Sequence, residues 1–429
     1  MKGATSTAIR SGLAKALIAV RHSPTAAEPF WRYARAEGGG WGGALEQRPI
    51  LIPDPNASKT WVIDIDTALK EDYPEYRKLV GTDLGGGALD AGMLLSQLVQ
   101  EVFSRYGTVT CTEEQFDAVL TDVAAFFDSP TISYQFYGPV RNMNGPVDVP
   151  PILFPGDVTL RPLTDAEFTR FYGGNPYFQG SRPPMPPVNF VLTKQVALLK
   201  ILGSGESMRG NVVSRVQEDF DRCILALASF KNGGPIGVDS IRVLPAQLVL
   251  GAGSGEHHYG ISNYVPFGGY PLQPDEAPQL AAHATLFANL HSSLEIACGR
   301  LVDSTHRIKP RDAIMDAVIG MESILLKESH TEMRFRFAVN YSTLAPQADR
   351  MLWFQTARDM YDVRSKIAHG DSPTTHKIGG EELSLYQAAL KAQEMLRTLL
   401  VQFLGQQGSP EFVAKNYWVS KTPGLTAHK

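Results

Sequence analysis

The sequence predicts an α+β protein, with an N-terminal mixed α/β-containing domain followed by a C-terminal all-α helical bundle. Two observations carry that expectation. Between about residues 50 and 270, stretches of strand composition are interspersed with stretches of helical periodicity, without the strict alternation of a doubly wound fold. Beyond residue 270, apolar residues recur at three- and four-residue steps through four successive segments and a closing one. The division is therefore 1–49 as an N-terminal helical and flexible segment, 50–270 as an α+β recognition or sensing domain, and 271–429 as the bundle.

In the first segment Lys2, Arg10, Lys15 and Arg21 precede any acid up to Glu28. Such a run occurs in organelle transit peptides, but Ser11 to Val20 reads as a small helix. Gly38 to Gly43, interrupted only by Trp41, reads as a flexible joint.

In the second segment, Thr60 to Ile65, Thr131 to Tyr137, Val158 to Arg161, Pro187 to Leu192 and Ser240 to Leu244 read as strands. Ala88 to Tyr106, Glu113 to Phe127 and Val212 to Phe230 read as helices, and Thr164 with Glu167 supplies N-cap chemistry for a short one. Gly85 to Gly87 lacks the lysine and hydroxyl residue of a phosphate loop and reads as a turn before the helix at Ala88. Asp64 and Asp66 alternate along the first strand and would face one side together, a weak fit to a metal-dependent nuclease and a better one to a solvated face. His257 and His258 read as a loop pair, since no carboxylate or cysteine sits at metal-ligand spacing. Ser181 to Pro187 and Gly251 to Gly255 read as turns or mobile loops, and residues 268 to 278 as the linker into the bundle.

In the bundle the helices are expected at about 276–303, 310–327, 332–344 and 350–369, then from Glu381 to Gly405. Gly370 follows the last periodic residue of the fourth, so it should take the left-handed C-cap conformation and leave His369 in the final turn or at the cap.

The chain has 429 residues, 43% of them hydrophobic and 20% charged, the composition of an ordinary globular protein with room for two or three domains. Cys111, Cys223 and Cys298 lie far apart, with neither a disulfide framework nor a metal-ligand spacing, which makes a reducing cytoplasm the default. No segment reaches the apolar length of a membrane span. The net charge of −4 excludes broad electrostatic capture of nucleic acid. Residues 270 to 429 hold 17 Lys+Arg and 17 Asp+Glu, so contact with RNA has to come from local patches. Arg307, Lys309 and Arg311 form one candidate, and Arg334 with Arg336 another; each also fits a solvated helix face.

The stretch richest in chemistry is Arg364-Ser365-Lys366-Ile367-Ala368-His369-Gly370. A histidine can take or give a proton near neutral pH. An arginine presents a fixed cationic fork to phosphate oxygens. Together they suit metal-independent RNA cleavage, in which the ribose 2′-hydroxyl attacks the adjacent phosphodiester. Residues five apart lie about 140° out of register on a helix. Either the helix end is distorted, or the site combines Arg364 and His369 from two copies of the chain. On spacing alone a structural ion pair of Arg364 with Asp362, Asp359 or Glu322, and a capping role for His369, is the simpler account.

The surrounding residues Tyr361 to Gly370 resemble the last signature of the HEPN superfamily, in particular its Apea-like branch. Asp316 to Leu326 is similar to the second-helix segment of that branch, and Arg334-Phe335-Arg336-Phe337-Ala338-Val339-Asn340-Tyr341 to its third-helix motif, in the same order. The resemblance covers about the last third of the chain. It implies a bundle that forms homodimers, with the arginine and histidine of both protomers lining a cleft, and an endoribonuclease used in defence or stress. It assigns catalysis to Arg364 and His369, with Glu322, Asp362 and Ser365 as candidate orienting residues; Ser365 departs from the Asn, Asp or His common in catalytic branches. Lys366, Arg334, Arg336 and Arg311 are candidate RNA contacts. No metal or other cofactor is implied, and the N-terminal domain would take a regulatory ligand or a phage trigger. Other family members are catalytically silent RNA-binding or protein-interaction modules, which is the alternative here.

Overall fold

The structure, a computed structural model, describes residues 1–21, 26–35, 41–50, 59–77, 80–82, 84–106, 111–172, 188–202, 211–250, 257–260, 269–326, 332–371 and 374–406. It is a mixed α/β protein. The chain opens with α1 (Gly3–Arg21), the hairpin β1 (Ala26–Arg35) and β2 (Trp41–Ile50), and α2 (Lys59–Asp72). Two short paired strands follow, β3 (Val80–Thr82) and β4 (Gly85–Gly87), then α3 (Ala91–Tyr106) and α4 (Glu113–Asp128). Thr112 and Gln115 close a capping box on α4.

The central layer is built from β5 (Thr131–Arg141), β6 (Met143–Asn144), β7 (Ile152–Phe154), β8 (Val158–Pro162), α5 (Asp165–Tyr172), β9 (Val188–Leu199), β10 (Ile201–Leu202), α6 (Val212–Phe230), β11 (Gly237–Val238), β12 (Ser240–Pro245), β13 (His257–Gly260) and β14 (Tyr270–Pro271). Its main sheet is antiparallel in the order β13-β12-β5-β9-β8-β7, with β11 also on β5. Burial alternates along β5 through Ile132, Tyr134 and Phe136, the period-2 signature of a strand with one face in the core. The strands expected from Thr131, Val158 and Ser240 and the Thr164 cap are present, the strand expected from Pro187 is described from Val188, and of the three longer helices the one expected from Ala88 begins at Ala91; Glu167 also holds Arg161.

The C-terminal part contains α7 (Ala277–Thr285), α8 (Ser292–His306), α9 (Pro310–Leu325), α10 (Met333–Ser342), α11 (Arg350–Ala368), the hairpin β15 (Thr375–Ile378) and β16 (Glu381–Ser384), and α12 (Leu385–Leu404). One cluster of buried apolar side chains runs from Ile9 to Leu404 and crosses residue 270.

Several expectations are corrected. Thr60 to Ile65 is helical: Trp61, Val62, Ile65, Ala68 and Leu69 fall at helical spacing and face the core, which overrides their strand composition. Asp64 and Asp66 therefore do not share a face, and Asp66 pairs with Lys70 one turn on, at 2.8 Å. Gly85 to Gly87 is a strand, and Trp41 to Gly43 belongs to β2, while Gly38 to Gly40 lies outside the described residues. His257 and His258 are in β13, opposite Val243 and Arg242, and not in a loop. Ser181 to Pro187 and Gly251 to Gly255 lie outside the described residues.

Of the linker expected at 268–278, Gly268 lies outside the described residues and 269–278 is fixed in place. Tyr270 is 1% exposed, pairs through β14 with β6, and donates its hydroxyl to the Leu227 carbonyl at 2.7 Å. The first bundle helix divides into α7 and α8, because i→i+3 bonds at Leu286, Phe287 and Ala288 tighten and end the first piece. The bundle is not all-α. Gly379 and Gly380, at φ +59° and +93°, make the two-residue turn of a hairpin, so Glu381 to Ser384 is strand. The closing helix starts only at Leu385, where Ser384 and Gln387 form a capping box.

Candidate functional site

The site expected from the sequence sits where α9, α10 and α11 meet. The two latter helices are antiparallel, joined by Phe337 on Tyr361 (centroids 5.3 Å apart) and Tyr341 stacked on Trp353 (5.1 Å). Buried Ala357, Met360 and Val363 fix which face of α11 enters the core.

The end of α11 is a Schellman motif. The Asp371 amide donates to the Lys366 carbonyl at 2.9 Å and the Gly370 amide to the Ile367 carbonyl at 3.0 Å, with Gly370 at φ +90°. His369 is the C-cap residue and its side chain is exposed, as the glycine position predicts. The helix stays α-helical to Ala368, and the His369 amide still reaches the Ser365 carbonyl at 3.1 Å. No local distortion brings His369 round to the side of Arg364.

Arg364 is half-buried and turned toward α9. Its Nη2 lies 3.5 Å from a carboxylate oxygen of Glu322, and its guanidinium carbon is 5.8 Å from the centre of the Tyr361 ring. Arg364 Nε and Glu322 Oε1 are buried without hydrogen-bond partners. Burial pushes the Glu322 carboxyl up, opposed by Arg364 and Tyr361. The Tyr361 hydroxyl is raised by its own burial and then by Glu322.

Asp362 does not address Arg364; it forms an ion pair with Arg334 of α10. Asp359 holds the amide of Gly379 at 3.1 Å and so ties the β15–β16 turn to α11. Ser365 is half-buried, and Lys366 is exposed. Arg336 is exposed and makes no ion pair among the described residues; Arg311 is exposed in the first turn of α9. Arg300 and Arg307 both hold the buried Asp316, at 2.9 and 2.6 Å, so Arg307 is committed to structure.

Two neighbours had no role assigned to them from the sequence. Tyr361 was open to inference, being one helical turn before Arg364. His376 was not: it lies on β15, is 5% exposed, and has a buried Nε2 without a partner near Lys366.

Among the described residues no group of three or more histidine, cysteine or acidic side chains could hold a metal ion, and no helix is long and apolar enough to cross a membrane. No protein-family model matches the chain, and no curated protein and no solved structure is significantly similar to it.

Proposed function

We propose that the chain is a HEPN-type endoribonuclease, acting as a metal-independent defence or stress effector, whose site is shared across a two-fold homodimer. The observation that carries this reading is the end of α11. An exposed histidine is held by a Schellman cap, and an arginine five residues earlier is directed to another face of the same regular helix. The two residues of one chain do not share a face of this regular helix, and a two-fold axis would bring Arg364 of one protomer and His369 of its partner into one cleft.

In that cleft His369 accepts the 2′-hydroxyl proton as the oxygen attacks phosphorus. The 5′-oxygen leaves and collects a proton, giving a 2′,3′-cyclic phosphate and a 5′-hydroxyl. Arg364 stabilises the charge gathering on the phosphoryl oxygens. Glu322 holds the guanidinium until RNA arrives. The part of the chain before residue 270 would take the regulatory ligand or phage trigger.

The Glu322–Arg364 contact also favours a second reading, a catalytically silent RNA-binding or protein-interaction module, because it already supplies the guanidinium with an anion. The test is incubation of the full chain with RNA in EDTA, with end-group analysis. Cyclic phosphate ends that disappear in His369→Ala support the nuclease. Cleavage undiminished in that variant overturns the assignment, and absence of cleavage selects the silent module.

A further inference from the structure

The exposed side chains of α10 form a surface that the pair at Arg364 and His369 leaves unused. Phe335 is 59% exposed, on the face of α10 opposite the fully buried Phe337. It does not float free. The half-buried Phe354 meets it edge-on, with centroids 6.0 Å apart and planes at 71°, and fixes the orientation of its ring. Exposed arginines flank it on both sides. Arg334 makes only an exposed pair with Asp362, and Arg336 makes none among the described residues.

The local charge agrees. From Met333 to His369 the chain carries six Lys+Arg and three Asp+Glu, a balance of +3 in a protein whose whole charge is −4. An oriented aromatic face between exposed guanidiniums is how proteins hold unpaired nucleic acid, with bases on the ring and phosphates on the cations. A duplex keeps its bases stacked on one another and offers the ring nothing.

We propose that Phe335, braced by Phe354 and flanked by Arg334 and Arg336, is a stacking platform for an unpaired base of single-stranded RNA. This rests on the nuclease reading and adds a substrate class to it. Ten residues of α11 separate Phe354 from Arg364, about 15 Å at 1.5 Å per residue. That axial spacing is the length of a few nucleotides of extended single strand.

The experiment is fluorescence anisotropy with the full chain and a labelled 2′-O-methyl single-stranded oligonucleotide, which cannot be cleaved. Phe335→Ala should weaken binding by about 5- to 150-fold, the usual effect of losing one stacked base, whereas Phe335→Trp should retain it. Arg336→Gln should reduce the slope of log K against log salt by about 0.7, one single-strand phosphate contact. Equal affinity in Phe335→Ala and wild type overturns the platform and leaves the nuclease reading standing. If wild type binds no single strand, both fail. Sedimentation of the same variants supplies the remaining outcome: if Phe335→Ala dissociates a dimer and leaves the RNA affinity of each chain unchanged, the ring belongs to a contact between copies and the platform is overturned.

Discussion

Arg364 and Glu322 approach each other at 3.5 Å, but each keeps one buried polar atom, Nε and Oε1, without a hydrogen bond. A pair built for stability alone would close into the bidentate fork that satisfies both groups. This pair is loose, and its carboxyl is raised because burial outweighs the attraction of Arg364.

The raised carboxyl has a definite sign in pH titration. The folded state binds the Glu322 proton more tightly than the unfolded state, so this contribution is fully present below the unfolded pKa and lost as pH rises through the folded one. Glu322→Gln removes the titration. Melting temperatures from pH 4 to 8 should show the variant gaining on wild type as pH rises. A variant that loses ground over that range would mean Arg364 depresses the carboxyl instead.

His369 and Arg364 should separate fold from activity. The His369 side chain is exposed at a cap whose hydrogen bonds are all backbone, so His369→Ala should change stability by no more than about 0.5 kcal/mol. RNA cleavage should fall by roughly two to four orders of magnitude. Arg364→Lys should also be impaired, since an ammonium cannot reproduce the fork. Initial rates on a labelled RNA, alongside thermal melts, provide both readings.

His376 predicts an acid-sensitive hairpin. Its buried ring titrates below the ordinary histidine value, first through burial and then through Lys366. The stability tied to its neutral form is present above the unfolded pKa of about 6.5 and is lost as pH falls through the depressed folded value. His283, also lowered by burial and in contact with Ser229 at 2.8 Å, titrates in the same direction. His376→Phe should therefore blunt only part of the stability loss between pH 7 and 5. An unchanged pH profile in that variant would remove His376 from the account.

What the sequence revealed of this site follows from how locally each feature is encoded. Gly370 announced the cap because a positive φ is a single-residue property, and apolar periodicity located α11, although only Ala357, Met360 and Val363 are buried while Met351 and Leu352 at its start are exposed. The partner of Arg364 was among three acids that spacing left equal; only the packing of α9 on α11 selects Glu322. Thr60 to Ile65 misled because β-branched composition is a weaker constraint than the apolar face against α1 and α3. The β15–β16 hairpin was announced by Gly379-Gly380, a signal lost beside the strong helical pattern that follows it. His376 had no local signal, since its burial depends on how α11 and α12, the helices on either side of the hairpin, pack on β15.

The linker residues 269–278 lie at a joint that can be tested through Arg397. This arginine of α12 is 8% exposed, donates from Nε to the Ala228 carbonyl at 3.0 Å, and bonds the side chain of Asn232. Burial lowers it to about 10, which leaves it charged at neutral pH. With Tyr270 on the Leu227 carbonyl, it satisfies the carbonyls at the end of α6, which have no partners within that helix. Arg397→Ala takes this partner from the buried Ala228 carbonyl, leaving the Tyr270 bond to Leu227 in place, and should cost about 3 kcal/mol. Arg397→Met keeps the packing and should cost less. Because the apolar core is continuous across this joint, urea unfolding followed by a probe in α6 and another in α12 should shift together in both variants. A transition that moves at one probe alone would show that residues 271–429 unfold as an independent unit.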